Sequence, residues 1–579
     1  MVGLVPTIHV FPHPRRKTWM LATRASMTKE PAMNAHATHQ VLNQARPATG
    51  WNAFSGDAVL QGVVARLAPW VAGKAGALGA LAGDAEVQEL ARLANRYGPE
   101  LKTHDRFGNR IDWIEFHPAW HELMGLAFAH EVPSLAWTTR EPNGHAARAV
   151  LSYLWNQVEH GVGCPTGMTY AAFPGLAQPE FALWREKITS GRYDKRPLPV
   201  AQKTGASIGY AMTEKQGGSD LRQTQTTARF LEDTPEGRVY LITGHKWFFS
   251  VPQSDGFFTL AQTESGVSCL FCPGFLPDGS RNRLQIQRLK DKAGNRSNAS
   301  SEVEFRECLG WLVGAEGAGI KEILSHAHLT RLDFAVGSAG LMRQALTLAL
   351  NHTQSRRGFG SSLAEQPMMT NILADLAIDS EASTLMAFRI AAATDAMETS
   401  EQERHLARVS TPLAKFWNCK RAAAFVVEAL ECHGGNGFIE ENPMARLYRE
   451  APLNAIWEGT SNMMCMDVLR SFNRDPRTKE AFMEEVGSAR GANPALDRWL
   501  DRLGTEVAKP RNDDGHGRRL ANLMAYALQA SELRKHADEA VFESFCRSRL
   551  DADWGYVFGT LEPSPELAAI VQRATVARS

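Results

Sequence analysis

From about residue 58 to 205, apolar side chains recur at three- and four-residue steps, as at Val87, Leu90 and Ala94 and again at Leu151, Leu154 and Val158. That spacing predicts helices with one buried face. Between about 206 and 312 the pattern shortens to β-rich runs such as Val239-Tyr240-Leu241-Ile242, Phe257-Phe258-Thr259-Leu260 and Val303-Glu304-Phe305, interrupted by Gly, Pro, Asp and Asn. An antiparallel β domain is expected there. Helical periodicity then returns over Ile320–His352, Pro367–Thr399 and Arg404–Cys432. At about 1.5 Å per residue such helices reach roughly 45 Å and are stable only side by side, so they predict a bundle. Further helices follow residue 472, with loops at 487–494 and 509–515. The expected fold class is α+β and mostly α: a helical domain over 33–205, a β domain over 206–312, a bundle over 313–472 and an appended helical domain over 473–579.

At 579 residues the chain exceeds what one core accommodates. Lys plus Arg equals Asp plus Glu, 63 against 63, which removes any global attraction to nucleic acid or anionic membrane. Eight cysteines without a regular framework fit free thiols in a reducing cytoplasm. Cys269 and Cys272 form a lone C-x-x-C without a second pair at ligand spacing, so strand packing is expected in place of a metal site. His117 and His121 stand four apart without the zincin glutamate and receive no role. No apolar run of membrane-spanning length occurs. The first 32 residues carry Arg15, Arg16, Lys17, Arg24 and Lys29 against Glu30 alone. A transit peptide, a disordered tail and an upstream start ahead of Met27 or Met33 all fit this composition.

Chemistry concentrates in Met212-Thr213-Glu214-Lys215-Gln216-Gly217-Gly218-Ser219-Asp220, where hydroxyls and bare backbone converge at the entry to the β region. Such groups can bond ring heteroatoms and phosphate oxygens without adding charge. A second glycine-rich stretch, Glu431-Cys432-His433-Gly434-Gly435-Asn436-Gly437-Phe438, runs on through Glu441, Arg446 and Glu450. Its bare backbone suits a diphosphate, or simply a helix C-cap. Gly244-His245-Lys246-Trp247-Phe248-Phe249-Ser250, Arg356-Arg357-Gly358-Phe359-Gly360 and Trp457-Glu458-Gly459-Thr460-Ser461-Asn462 complete the set.

Taken in order, these segments resemble the signatures of the acyl-CoA dehydrogenase family of flavoproteins. The resemblance implies FAD held by Met212, Thr213, Gly218 and Ser219, by Phe248, Phe249 and Ser250, and by Trp457, Gly459, Thr460 and Asn462. It implies that Gly434 and Gly435 approach the flavin's diphosphate, and that Arg356 and Phe359 reach the cofactor of a neighbouring subunit in a homotetramer built as a dimer of dimers. Glu458 would be the base that removes the α-proton of an acyl-CoA thioester while hydride leaves the β-carbon for the flavin, with Arg331 beside the substrate. Thr330 stands where some relatives place an alternative acidic base, which strengthens the case for Glu458. Thioester α-protons are weak acids, so a base of this kind has to be screened from water.

The segments Phe116–His121, Lys246–Asp255, Asn295–Ser300 and Met464–Arg470 resemble the AidB-type branch of that family, bacterial flavoproteins of the alkylation response, from about residue 50 onward. Members of that branch are weak dehydrogenases that also bind double-stranded DNA through the added C-terminal domain. Residues 471–579 here hold 16 Lys and Arg against 17 Asp and Glu, so DNA binding would require cations such as Arg470, Arg547 and Arg549 to share one face. The expected function is therefore α,β-dehydrogenation of an acyl-CoA or related substrate in the cytoplasm. A DNA-binding stress protein with a structural flavin and an acyl-CoA oxidase stand as alternatives.

Overall fold

The computed structural model describes residues 38–235, 237–509, 514–553 and 556–577. The N-terminal extension singled out above lies outside the described residues. The chain divides into two units at residue 44/45, and all helices and strands below belong to the second.

Helices α1 (Ala58–Leu67), α2 (Ala72–Ala82) and α3 (Ala85–Arg96) lead into a hairpin of β1 (Glu100–His104) and β2 (Arg110–Glu115). After it come α4 (Pro118–Ala129), the single turn α5 (Leu135–Thr138), α6 (Gly144–Trp155), α7 (His160–Ala172) and α8 (Ala182–Ile188). The hairpin departs from the purely helical expectation. Its residues are charged and alternate only between exposed and half-buried in β1, so the strand period is faint in sequence. Trp155, Trp120 and Trp184 are buried as expected of core anchors, whereas Trp113 on β2 is exposed.

Seven strands make the middle sheet: β3 (Ile208–Thr213), β4 (Thr227–Thr234), β5 (Gly237–Phe249), β6 (Gly256–Thr263), β7 (Gly266–Pro273), β8 (Leu284–Leu289) and β9 (Ser301–Val313). Pairings run β3 to β5, β5 to β9, β9 to β7, β7 to β6 and β6 back to β3, so five strands close on themselves while β4 and β8 flank them. Closure satisfies backbone groups that an open edge would leave exposed. The β3–β6 pair is parallel, Ile208 opposite Gly256 to Ala211 opposite Thr259, which corrects the all-antiparallel expectation. Cys269 and Cys272 lie buried in β7, within the sheet's packing.

The long helices form as expected: α9 (Gly319–Ser355), α10 (Pro367–Ala396) and α11 (Glu401–Glu431). Between α9 and α10 sits a two-residue hairpin of β10 (Arg357–Gly358) and β11 (Ser361–Ser362). Then follow α12 (Pro443–Glu450), α13 (Ser461–Arg474), α14 (Pro476–Gly487), α15 (Pro494–Ala508), α16 (Gly517–His536), α17 (Glu539–Phe545) and α18 (Glu566–Ala574). Helices after 472 lie on the bundle itself, with α14 against α11, and α16 and α18 against α10. Trp417 of α11 donates to Gln529 of α16 at 3.0 Å inside that seam. No described helix is long and apolar enough to cross a membrane.

Candidate functional site

Glu458 occupies a backbone conformation that side chains other than glycine rarely adopt, with φ of 54°, and Gly459 follows at 99°. A non-glycine residue held there by its surroundings points to function. Two devices hold it. Lys415, buried in α11, donates its ammonium to the carbonyls of Trp457 at 2.8 Å and of Gly459, straddling the glutamate. Burial pulls the Lys415 ammonium below its usual range, against the opposing pull of the Cys419 and Glu458 charges. From α9, Thr330 donates its hydroxyl to Glu458 Oε2 at 3.1 Å.

Around this turn, α7, β3 and the loop after β5 converge. Cys164, Met168 and Val251 form a small apolar cluster against which Tyr210 and Trp457 pack. The Trp457 ring stacks on Phe334 of α9 at 4.8 Å and donates to Asn454 Oδ1 at 3.0 Å. Burial, then the nearby Glu458 charge, pushes the Tyr210 hydroxyl and the Cys164 thiol up, the thiol to about 12, so both stay protonated.

Beside it lies the end of β3. Thr213 pairs with Phe248 across the strands, and a Cβ on Gly218 would come within 2.4 Å of Thr213 Oγ1, so glycine is required for the loop to fold under that hydroxyl. Glu214 anchors the loop from below. It is buried, accepts Lys246 Nζ at 2.8 Å and the backbone N–H groups of Gln225 and Thr226, and Lys246 also donates to Leu260 O. Burial alone would raise the Glu214 carboxyl, but Lys246 and these donors outweigh it and bring it down to about 2. Phe248 stands 47% exposed beneath the Lys290 ammonium, and Ser250 is half-buried. Phe249 is a correction: it has no exposed surface and packs on Phe257 at 4.9 Å, because successive strand residues face opposite sides.

Arg331 lies beside the turn, its Nε 3.4 Å from Glu458 O, but its guanidinium is spent on Asp467 at 2.8 Å. Burial opposes ionisation of Asp467, yet Arg408 and Arg331 together hold its carboxyl below the usual range. Asn462 accepts from Arg518 of α16 at 2.7 Å, which brings the C-terminal helices to the rim of the site. Lys415, Glu214, Lys246 and Arg518 were not singled out from sequence. A lysine inside Leu413-Ala414-Lys415-Phe416-Trp417 and another between His245 and Trp247 were available signals, since a charge within an apolar run demands a partner. Arg518 offered none.

Arg356, Phe359, Gly434 and Gly435 form a second group elsewhere. Arg356 caps α9, Phe359 is fully exposed on the β10–β11 hairpin, and the tilted rings of His352 and His433 meet with centroids 4.7 Å apart at the ends of α9 and α11. Gly434 has φ of 58°, and neither it nor Gly435 has any atom within 4 Å of an added Cβ, leaving bare backbone toward open space. Along α9, Arg331 lies 24 residues before the last helical residue, Ser355, a rise of about 36 Å at ~1.5 Å per residue, and Arg356 caps that end.

Of the three arginines expected on a DNA-facing surface, Arg470 and Arg547 are exposed, Arg547 pairing with Glu562 at 3.1 Å. Arg549 is a correction. It is sealed inside the protein between Asp375 and Asp379 and cannot meet a phosphate. No group of three or more His, Cys, Asp or Glu side chains that could hold a metal ion occurs among the described residues.

Three family models match the chain: the adaptive response protein AidB N-terminal domain over 43–195, the acyl-CoA dehydrogenase middle domain over 209–308 and the acyl-CoA dehydrogenase C-terminal domain over 317–472. The chain is 43% identical over 90% of its length, and 95% of the relative's, to "Putative acyl-CoA dehydrogenase AidB" of Escherichia coli (strain K12). Among solved structures it resembles Caenorhabditis elegans ACDH-11 in complex with C11-CoA, with a TM-score of 0.80 and 24% identity over 94% of this chain and 98% of that one. An acyl-CoA dehydrogenase complexed with FAD from Bacillus anthracis aligns with a TM-score of 0.65 and 16% identity over 88% of this chain and 91% of that one.

Proposed function

Because the chain belongs to the acyl-CoA dehydrogenase family, we propose that it is an FAD-dependent oxidoreductase that desaturates an acyl-CoA or related thioester between its α and β carbons, with Glu458 as the base. The observation that carries this reading is the Trp457–Gly459 turn, in which a left-handed glutamate is fixed by Thr330 and Lys415 beside the Thr213–Phe248 strand ends. When bound there, FAD supplies a two-electron acceptor for hydride from the β-carbon. The residues fit it: Thr213 and Ser250 offer hydroxyls, Phe248 and Trp457 offer ring faces, and Gly218 clears the approach. Glu458 takes the α-proton onto its carboxylate while Trp457, Tyr210, Met168 and Val251 keep water from it.

The rise of about 36 Å along α9 from Arg331, beside the Glu458 turn, to the end capped by Arg356 supports a two-copy arrangement, in which Arg356, Phe359 and the Gly434–Gly435 turn of one chain complete the diphosphate end of another chain's site. Arginine suits that end because its fork satisfies two phosphate oxygens together. A homotetramer built as a dimer of dimers follows from the family pattern.

The test is anaerobic titration of the flavin-loaded protein with thioesters of graded chain length. Loss of flavin absorbance with at least one of them, abolished in Glu458→Ala, is expected; bleaching retained in that variant rejects the assigned base. Peroxide formed in air at the rate of substrate loss would instead make it an oxidase. The match of 43–195 to a domain of an adaptive response protein supports a second reading, a role in the response to DNA alkylation with duplex binding through Arg470 and Arg547. A gel shift that weakens steeply with salt is its signature, and no shift at low ionic strength removes it.

A further inference from the structure

Helix α16 opens with Gly517-Arg518-Arg519 and packs against α13, the helix that leaves the Glu458 turn at Ser461. The approach depends on Gly517. It is buried, and a Cβ there would come within 3.1 Å of Leu469 Cδ1 and 3.4 Å of Cys465 Cβ, so bare backbone lets the first turn of α16 lie on α13. Arg518 is thereby delivered to the start of α13, where its Nε–H donates to Asn462 Oδ1 at 2.7 Å across 56 positions of sequence. Its charge is felt in the next turn as well: burial pushes the Cys465 thiol up to about 11, and Arg518 pulls against that rise.

Two features set this contact apart from an ordinary surface bond. The first is what each partner has left to offer. With its oxygen taken, the Asn462 amide presents its N–H donors, and Arg518 keeps the two outer nitrogens of its fork. Among the described residues no carboxylate pairs with Arg518, whereas Arg331 and Arg408 on the same side of α13 are both engaged by Asp467, at 2.8 and 2.7 Å. The second feature is place. Asn462 belongs to the segment running on from Glu458 that the family pattern assigns to the flavin, and both Asn462 and Arg518 are exposed at the rim of that site. Every group on offer is a donor and one carries a full positive charge, a set that matches an anion made only of acceptors. In FAD that anion is the diphosphate, since the oxidised ring system is neutral.

We propose that Arg518 is a cofactor-binding residue supplied by the appended helices: its outer nitrogens hold an oxygen of the FAD diphosphate while its Nε–H fixes the Asn462 amide to donate beside them. A guanidinium suits both tasks because its donors lie in one plane and point in fixed directions. The proposal rests on the FAD reading above and extends it, because it makes the segment beyond residue 472 part of the flavin site of the chain that carries Glu458. A lysine at position 518 would carry the charge without the fork.

The experiment is titration of the full chain, freed of flavin, with FAD at several salt concentrations. Arg518→Gln should weaken FAD about tenfold or more while the Tm of the flavin-free chain stays unchanged, as expected for an exposed side chain. Affinity of the parent chain should fall more steeply with salt than that of the variant, which has lost one charge facing the diphosphate. Asn462→Ala should also weaken FAD, and adding it to Arg518→Gln should cost less than the two separate losses multiplied together, because the pair acts as a unit. Unchanged FAD affinity in Arg518→Gln, a lowered Tm of its flavin-free form, an unaltered salt dependence or fully multiplicative losses in the double variant would each overturn the proposal. A parent chain that takes up no FAD would overturn the flavin reading and this inference with it.

Discussion

Glu458, in the turn before α13, is paired with a hydroxyl from α9, and its turn is fixed through two carbonyls by a buried ammonium. A base held this way loses little freedom when substrate arrives. Thr330→Val keeps shape and removes the donor, so kcat/KM for the best thioester should fall about tenfold while flavin content is unchanged. Glu450 shows a different use of burial. Its carboxyl accepts the Asn295 N–H on both oxygens, at 2.8 and 2.9 Å, but burial and then the neighbouring Glu159 push it up to about 7. A carboxyl raised in the fold stabilises it at pH below the unfolded value of roughly 4.3, and that contribution is lost as pH climbs through about 7. Calorimetry of Glu450→Gln should therefore show a shallower decline of Tm between those limits than the parent chain. Of these residues, Glu458 and Thr330 were legible because they fall in a recognisable motif or at its expected partner position. Lys415 was not, because its role depends on α11 crossing behind a turn more than 40 positions later in the chain.

Among the elements, the three long helices were legible to within a few residues because each is a long run at helical spacing with no loop signal inside it. Closure of the sheet was not, since pairing β3 in parallel with β6 depends on register between strands and leaves no local trace. The alternation that puts Phe248 outward and Phe249 inward could have been applied to Trp247-Phe248-Phe249, and only the pairing of Thr213 with Phe248 fixes which one faces the site. The loop from Glu214 to Thr226 depends on the Glu214–Lys246 pair, with neither side chain more than 1% exposed. Lys246→Met strands a buried carboxylate and should cost about 3–5 kcal/mol in chemical denaturation, with loss of flavin. Adding Glu214→Gln to that variant should recover part of the stability; no recovery would show that the pair is not what holds the loop.

For the whole molecule, the two groups of predicted cofactor residues are separated along α9 as a shared site between copies requires. Gly218→Val damages one group and Arg356→Ala the other, so each variant alone should purify with little flavin. Co-expressed in equal amounts, chains carrying one defect each leave about a quarter of the sites with both halves intact, and flavin content should return to that fraction. The segment beyond residue 472, expected as an appended helical domain, packs against α10, α11 and α13, with Arg518 touching Asn462. Charge counting had already shown that segment to be mixed in sign, but burial of Arg549 between two aspartates was beyond its reach. The central claim, that Glu458 removes the α-proton, is tested most directly by incubating the flavin-loaded protein anaerobically with an α-deuterated thioester that it bleaches and following washout of deuterium into water. The account predicts washout catalysed by the parent chain and slowed by about 100-fold or more in Glu458→Gln, with flavin still bound; washout at the parent rate in that variant would contradict it.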